Sequence, residues 1–153
     1  MRKIILALLA AGIVAATTVP LAASADRDEE LVIGVRVDFV SSSHADGTFV
    51  ACCAVNDSGA AQADVTSFTP RRNDRAEFEA VETFNGSKGT FRLALRGTTG
   101  PLSSPRHIAR GRWRVIDGTG AYSDLEGHGR FTAASDQRTG ELTAINKGEG
   151  DRD

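Results

Sequence analysis

The sequence predicts an all-β fold, a roughly eight-stranded antiparallel up-and-down β-barrel preceded by a signal-peptide helix. Three observations predict it. Apolar and polar residues alternate with a period of two through much of the chain, as in strands that bury one face. Clusters of Gly, Asn, Asp and Ser interrupt that alternation at short intervals, as turns do. Few segments carry the period of an amphipathic helix.

The first segment is of a different kind. Arg2 and Lys3 precede an apolar run from Ile4 to Val19, Pro20 stops any helix, and Ala23-Ser24-Ala25 supplies the small residues of a cleavage site. Residues 1–25 are therefore read as a signal peptide cleaved after Ala25. The product is a secreted protein with no stable membrane anchor after cleavage. Removing the leader lowers the hydrophobic content from 41% of the 153-residue chain to about a third. It also removes two basic residues, so the remainder is more acidic than the chain's net charge of −2. That balance argues against a nucleic-acid partner. The mature chain fits one domain: a charged tail at 26–30, a β-barrel domain at 31–147 and a second charged tail at 148–153.

The strands succeed one another along the chain. Ile33, Val35, Val37 and Phe39 share one face against Gly34, Arg36 and Asp38. After a turn signal at His44–Gly47, Phe49, Ala51, Cys53 and Val55 alternate in the same way. Asn56–Gly59 reads as a turn before weaker runs near Ala61–Phe68 and Glu77–Phe84. Beyond Asn85–Gly89, Phe91, Leu93 and Leu95 oppose Arg92, Ala94 and Arg96. Gly97–Ala109 contains Pro101 and Pro105 and reads as a long loop that could cover one barrel end. Gly111, Trp113 and Val115 oppose Arg110, Arg112 and Arg114. Leu125, Gly127, Gly129 and Phe131 oppose Glu126, His128 and Arg130, and Leu142 and Ala144 close the series. Short linkers suit neighbouring hairpins, and closure removes exposed edges.

One stretch reads as a single hairpin unit: Gly111-x-Trp113-x-Val115, then Gly118-Thr119-Gly120-Ala121-Tyr122, then Leu125-x-Gly127-x-Gly129-x-Phe131. With its centre near Gly120, Trp113 falls opposite Gly127 or Gly129, a large ring over missing side chains. Ala121–Leu125 is expected to make one helical turn. The unit resembles the pattern of the allene oxide cyclase/dirigent-like β-barrel family, including small secreted bacterial relatives, over about 21 residues. The resemblance implies an eight-stranded barrel with an interior pocket and cofactor-free chemistry. It carries over no catalytic residue, because the family's reactive groups lie mainly on other strands.

Other constellations are weaker. Asp124-x-Glu126-x-His128 has the spacing of ligands on one strand face, yet its opposite face is the apolar one, so the trio is expected in water and no metal site is assigned. Gly118-x-Gly120 lacks the residues of a phosphate loop and reads as a turn. Asn56-Asp57-Ser58 and Asn85-Gly86-Ser87 match the glycosylation triplet and also read as turns. The arginines at 110, 112 and 114, with Arg130 beside them, form a solvated outer face or a local patch for an anionic surface or polymer. Cys52-Cys53 leaves three readings open: free thiols, a vicinal disulfide or an intermolecular bridge. Strand parity sends Cys53 inward and Cys52 outward.

Two functional classes are consistent with these residues, both without a cofactor. One is a secreted barrel that binds an apolar small molecule or a partner. The other is a cofactor-free isomerase or cyclase, which needs one or two polar groups inside an apolar interior. Trp113, Tyr122 and Cys53 are the ligand-pocket candidates. A structural secreted domain without a ligand is the third reading, and nothing in the residues fixes an oligomeric state.

Overall fold

Strands that alternate along their length become a barrel only when the first can pair with the last. The computed structural model, which describes residues 29–152, shows that closure. The strands are β1 (Glu29–Phe39), β2 (His44–Cys53), β3 (Asp57–Arg71), β4 (Arg75–Gly86), β5 (Thr90–Gly100), β6 (Arg106–Gly118), β7 (Leu125–Asp136) and β8 (Glu141–Arg152). They succeed one another in chain order around a closed antiparallel sheet. β1 and β8 seal it from Glu29↔Gly150 to Asp38↔Glu141. The predicted leader, 1–25, lies outside the described residues.

The up-and-down order sorts the connections. One end gathers the β2–β3, β4–β5 and β6–β7 connections. The other, the hairpin end, gathers the four remaining hairpins. A short 3₁₀ turn, Gly120–Tyr122, sits in the β6–β7 connection. It drops Tyr122, fully buried, into the first end, which is therefore the capped end.

The strands outrun the alternation that announces them. Glu29 and Glu30 belong to β1 and Gly148–Arg152 to β8, so neither expected charged tail is a tail there. The expected long loop at Gly97–Ala109 is mostly strand, and only Pro101–Pro105 connects β5 to β6. His44–Gly47 lies in β2 and Asp57–Gly59 in β3, so the turns fall at 40–43 and 54–56. The reason is common to all of these. Ladder hydrogen bonds involve backbone groups, so a closed sheet extends through polar, glycine and charged positions that carry no side-chain pattern. The far part of β3 is an exception to closure. It continues past its β2 pairing, through a bulge between Val65 and Ser67, as an exposed arm paired to β4. Pro70 sits on that free edge, where its missing N–H costs no ladder bond.

The bore is narrow, and glycines make room for its rings. Trp113 pairs with Gly129. A Cβ on Gly129 would stand 2.7 Å from Trp113 Cζ2. Phe131 lies over two more glycines, with its ring 2.7 Å from a Cβ built on Gly111 and 2.8 Å from one on Gly97. Gly34 differs, since its nearest neighbour would be the Val50 carbonyl at 3.8 Å. A Cβ on Gly129 would also collide with the Lys147 carbonyl, so Gly129→Ala is expected to lower unfolding free energy by about 1–3 kcal/mol by overpacking against β8 backbone and ring together, and Gly34→Ala to leave it nearly unchanged. Urea denaturation of the two variants side by side checks this. Equal effects would mean that neither the ring nor the β8 backbone needs the bare position.

Candidate functional site

The barrel interior is mainly apolar, and its most buried polar groups lie where two opposite walls meet. Glu82 lies on β4 in the inward row of Ala80 and Phe84, and Asn146 lies on β8 in the inward row of Ala144 and Gly148. In a ring of eight strands, β4 and β8 face each other across the bore. Asn146 Nδ2 nevertheless donates a hydrogen bond to Glu82 Oε2 at 2.6 Å. Side chains from opposite walls thus bridge the lumen. Both residues are buried, at 4% and 0% exposure.

Their electrostatics are unusual for a core. Burial pushes the Glu82 carboxyl up to about 7, and the Asn146 amide opposes this only in part. Asn146 Oδ1 is buried and accepts no hydrogen bond. Toward the hairpin end, His107 shares the inward row of β6 with Ala109, Gly111 and Trp113, and its Nε2 is also buried without a partner. An unsatisfied buried polar atom costs about 1–3 kcal/mol. An apolar side chain would avoid that cost at either place.

Aromatic rings surround the capped half of the lumen. Phe84 lies 5.0 Å from Phe49 and 4.9 Å from Phe91, centroid to centroid, and Tyr122 packs edge-on against Phe91 at 5.2 Å. The Tyr122 hydroxyl donates to Asp57 Oδ2 at 2.7 Å. Asp57 also accepts from the Ser58, Ser87 and Lys88 backbone and from Ser87 Oγ. Burial acts to raise the Asp57 pKa, but these donors together hold it well below the usual carboxylate range. Burial and the neighbouring Asp57 charge push Tyr122 up to about 12. Tyr122 is thus a neutral plug whose hydroxyl is committed to the rim.

The wall beside this plug is parted. β6 and β7 pair from Arg106↔Asp136 to Arg114↔His128 and then diverge around the 3₁₀ turn. The divergence leaves an open groove of about 810 Å³ with Val115, Leu125 and Gly127 among its lining residues. That volume lies within the usual range for small-molecule sites. Asp124, Glu126 and His128 line it from the exposed outer side. Among the described residues no group of three His, Cys, Asp or Glu is arranged to hold a metal ion.

Of the three expected pocket residues, Trp113 lies in the lumen, with its Nε1 donating to the Arg130 carbonyl at 3.0 Å. Tyr122 caps the lumen. Cys53 is not in the interior; both cysteines are exposed. Parity fails because Cys53 has a φ of +81°, which turns the end of β2 out of the regular pleat. The two Sγ atoms then lie 2.6 Å apart on the same side. Hydrogen bonding to Cys52, followed by burial, pushes the Cys53 thiol up to about 11. Sequence reasoning missed Glu82, Asn146 and His107. The first two were visible as polar residues in the inward positions of apolar rows, whereas His107 was hidden in the segment read as a loop. Comparison of the chain with protein families, with curated proteins and with solved structures found no match.

This geometry has measurable consequences. A carboxyl whose pKa rises from 4.5 to about 7 on folding stabilises the fold fully below 4.5 and loses that contribution as pH rises through 7. Unfolding free energy should therefore fall between pH 5 and pH 8 by up to about 3 kcal/mol from this group. Glu82→Gln should remove that slope, and the comparison separates it from His44, whose bond to Asp64 also raises its pKa. A slope unchanged in the variant would place the titration elsewhere. Tyr122→Phe should cost about 1.5–3 kcal/mol in the same assay by deleting a hydrogen bond to a charged acceptor. It should also loosen the capped end, read as faster amide exchange at Ser87 and Lys88.

Proposed function

We propose that the protein binds a small, mainly apolar molecule inside the barrel, with Glu82 and Asn146 meeting its one polar group. The observation that carries this reading is the unpaired Asn146 Oδ1 beside the Glu82 carboxyl in a mainly apolar lumen. An orphan acceptor calls for a donor, so the favoured ligand carries a hydroxyl or a protonated acid on an apolar body. The occupant enters where β6 and β7 part, past Val115 and Leu125, and has to displace inward side chains of the narrow bore to reach Glu82 and Asn146, which do not line that groove. With the leader read over Met1–Ala25, the barrel would act after export.

A second reading is a cofactor-free isomerase or cyclase, in keeping with the resemblance of the Gly111–Phe131 unit to the allene oxide cyclase/dirigent-like barrels. The observation favouring it is that a carboxyl with a pKa near 7 can give or take a proton at neutral pH without water competing. In that reading Glu82 exchanges the proton and Asn146 holds the carboxyl in place.

Trp113 is the single tryptophan of the chain and sits in the lumen, so its fluorescence reports occupancy. Long-chain alcohols should shift that emission saturably, and alkanes of equal length should bind at least about tenfold more weakly. Native mass spectrometry of protein from its own source should show a retained small mass that is lost on unfolding. No saturable shift and no retained mass would overturn the binding reading. If binding holds, Glu82→Gln separates the two readings: the isomerase loses turnover with binding kept, and the carrier has no turnover to lose.

A further inference from the structure

Four cations stand directly opposite one another around the outside of the barrel. The register pairs Arg96 with Arg112, Arg112 with Arg130, and Arg130 with Lys147, across β5, β6, β7 and β8. All four are exposed, and Arg110 and Arg114 flank Arg112 on the same face of β6. Like charges placed directly opposite repel, so this arrangement costs stability. Only the ends of the row reach carboxylates: Arg96 approaches Glu79 at 3.7 Å, and Lys147 bonds Glu30 at 2.8 Å. Among the described residues the inner arginines, Arg112 and Arg130, form no ion pair. Some arginines elsewhere on the surface pair, as Arg36 does with Glu141, Arg71 with Glu77 and Arg138 with Asp136, while Arg72, Arg75, Arg110 and Arg114 form no ion pair among the described residues; what sets Arg112 and Arg130 apart is that each faces further cations on both sides. The uncompensated charge is local, on a chain whose net charge is −2.

We propose that this row binds an extended acidic polysaccharide carrying one carboxylate per sugar unit, laid across β5–β8. The backbones of neighbouring strands lie about 4.8 Å apart, and the convex wall fans the outward side chains further, so the cations form a spaced track that a chain repeating its carboxylates can follow. Each of the four strands presents one cation of this row to the chain. Three of the four cations are arginines, whose planar fork matches a carboxylate in two parallel hydrogen bonds. Curvature selects against flat partners. The row covers three of the eight inter-strand steps, an arc of about 135°. A membrane surface would touch the middle of that arc and miss its ends, whereas a flexible chain can follow it. Nucleic acid fits less well, because Glu79, Glu126 and Glu149 border the track and would oppose a wider polyanion.

The test is binding of the purified protein to polygalacturonate by affinity electrophoresis at low and physiological salt. Neutral dextran, phosphatidylglycerol vesicles and single-stranded DNA serve as comparators. Binding to polygalacturonate is expected at low salt, weakening as salt is added. The double variant Arg112→Gln/Arg130→Gln should weaken it at least about tenfold, with a Tm equal to or above that of the parent because a repulsion is relieved. Arg72→Gln/Arg75→Gln removes the same charge at the hairpin end and should change affinity less than about twofold. Equal losses in the two double variants would reduce the effect to net charge and overturn the proposal. No binding at low salt, or preference for vesicles or DNA, would overturn it as well. None of these outcomes bears on whether the lumen binds a small molecule.

Discussion

The bore of a closed eight-stranded barrel is the constraint on which the rest of this structure depends. Within the closed part of the sheet alternate residues point into one narrow cylinder, so inward side chains from opposite walls compete for the same space. The hydrogen bond from Asn146 to Glu82 measures that narrowness, since it joins strands that face each other across the barrel. The same restriction explains why Trp113 and Phe131 require Gly129, Gly111 and Gly97 beside them. It also explains why one tyrosine on one 3₁₀ turn fills an end of the barrel. Rings and glycines are one design, in which volume removed at one position is occupied from the next strand.

Polar groups enter this cylinder at a cost, and they do so in very few places. Glu82 and Asn146 satisfy each other only in part, and His107 keeps a nitrogen unpaired. Asp57 shows the contrast, because a carboxylate with several donors around it is held ionised and structural. The difference lies in hydrogen-bond supply. At the rim, loop backbone and side chains offer donors. In mid-barrel all backbone groups are taken by the ladder, so a carboxyl there has one amide and is pushed toward its neutral form.

Much of the architecture was legible in the residues themselves. Of the expected row Ile33, Val35, Val37 and Phe39, the first three point inward while Phe39 at the strand end is exposed, and of the two glycines expected opposite Trp113 the fold selects Gly129 over Gly127. The strand ends were not legible. Gly148–Arg152 and Gly97–Gly100 pair through their backbones while their side chains look like loop or tail. Cys53 was misplaced because parity assumes an unbroken pleat, and a single positive φ at the strand end reverses the outcome. The polar pair of the lumen was half legible. Glu82 sits in an apolar row, but nothing local says which residue it meets, because its partner is 64 positions away.

The sequence by itself determined the strand class, the approximate number of strands and which side chains share a face, because these depend on the two-residue period of an extended chain. It also narrowed the partner of Trp113 to Gly127 or Gly129, a short-range matter of register within one hairpin. Only the tertiary structure decided that β1 closes on β8, that Glu82 meets Asn146 across the bore, and that Arg96, Arg112, Arg130 and Lys147 fall into one row. Each of these relations joins residues on different strands. Their alignment is set by register summed around the whole ring, and no local pattern encodes that sum.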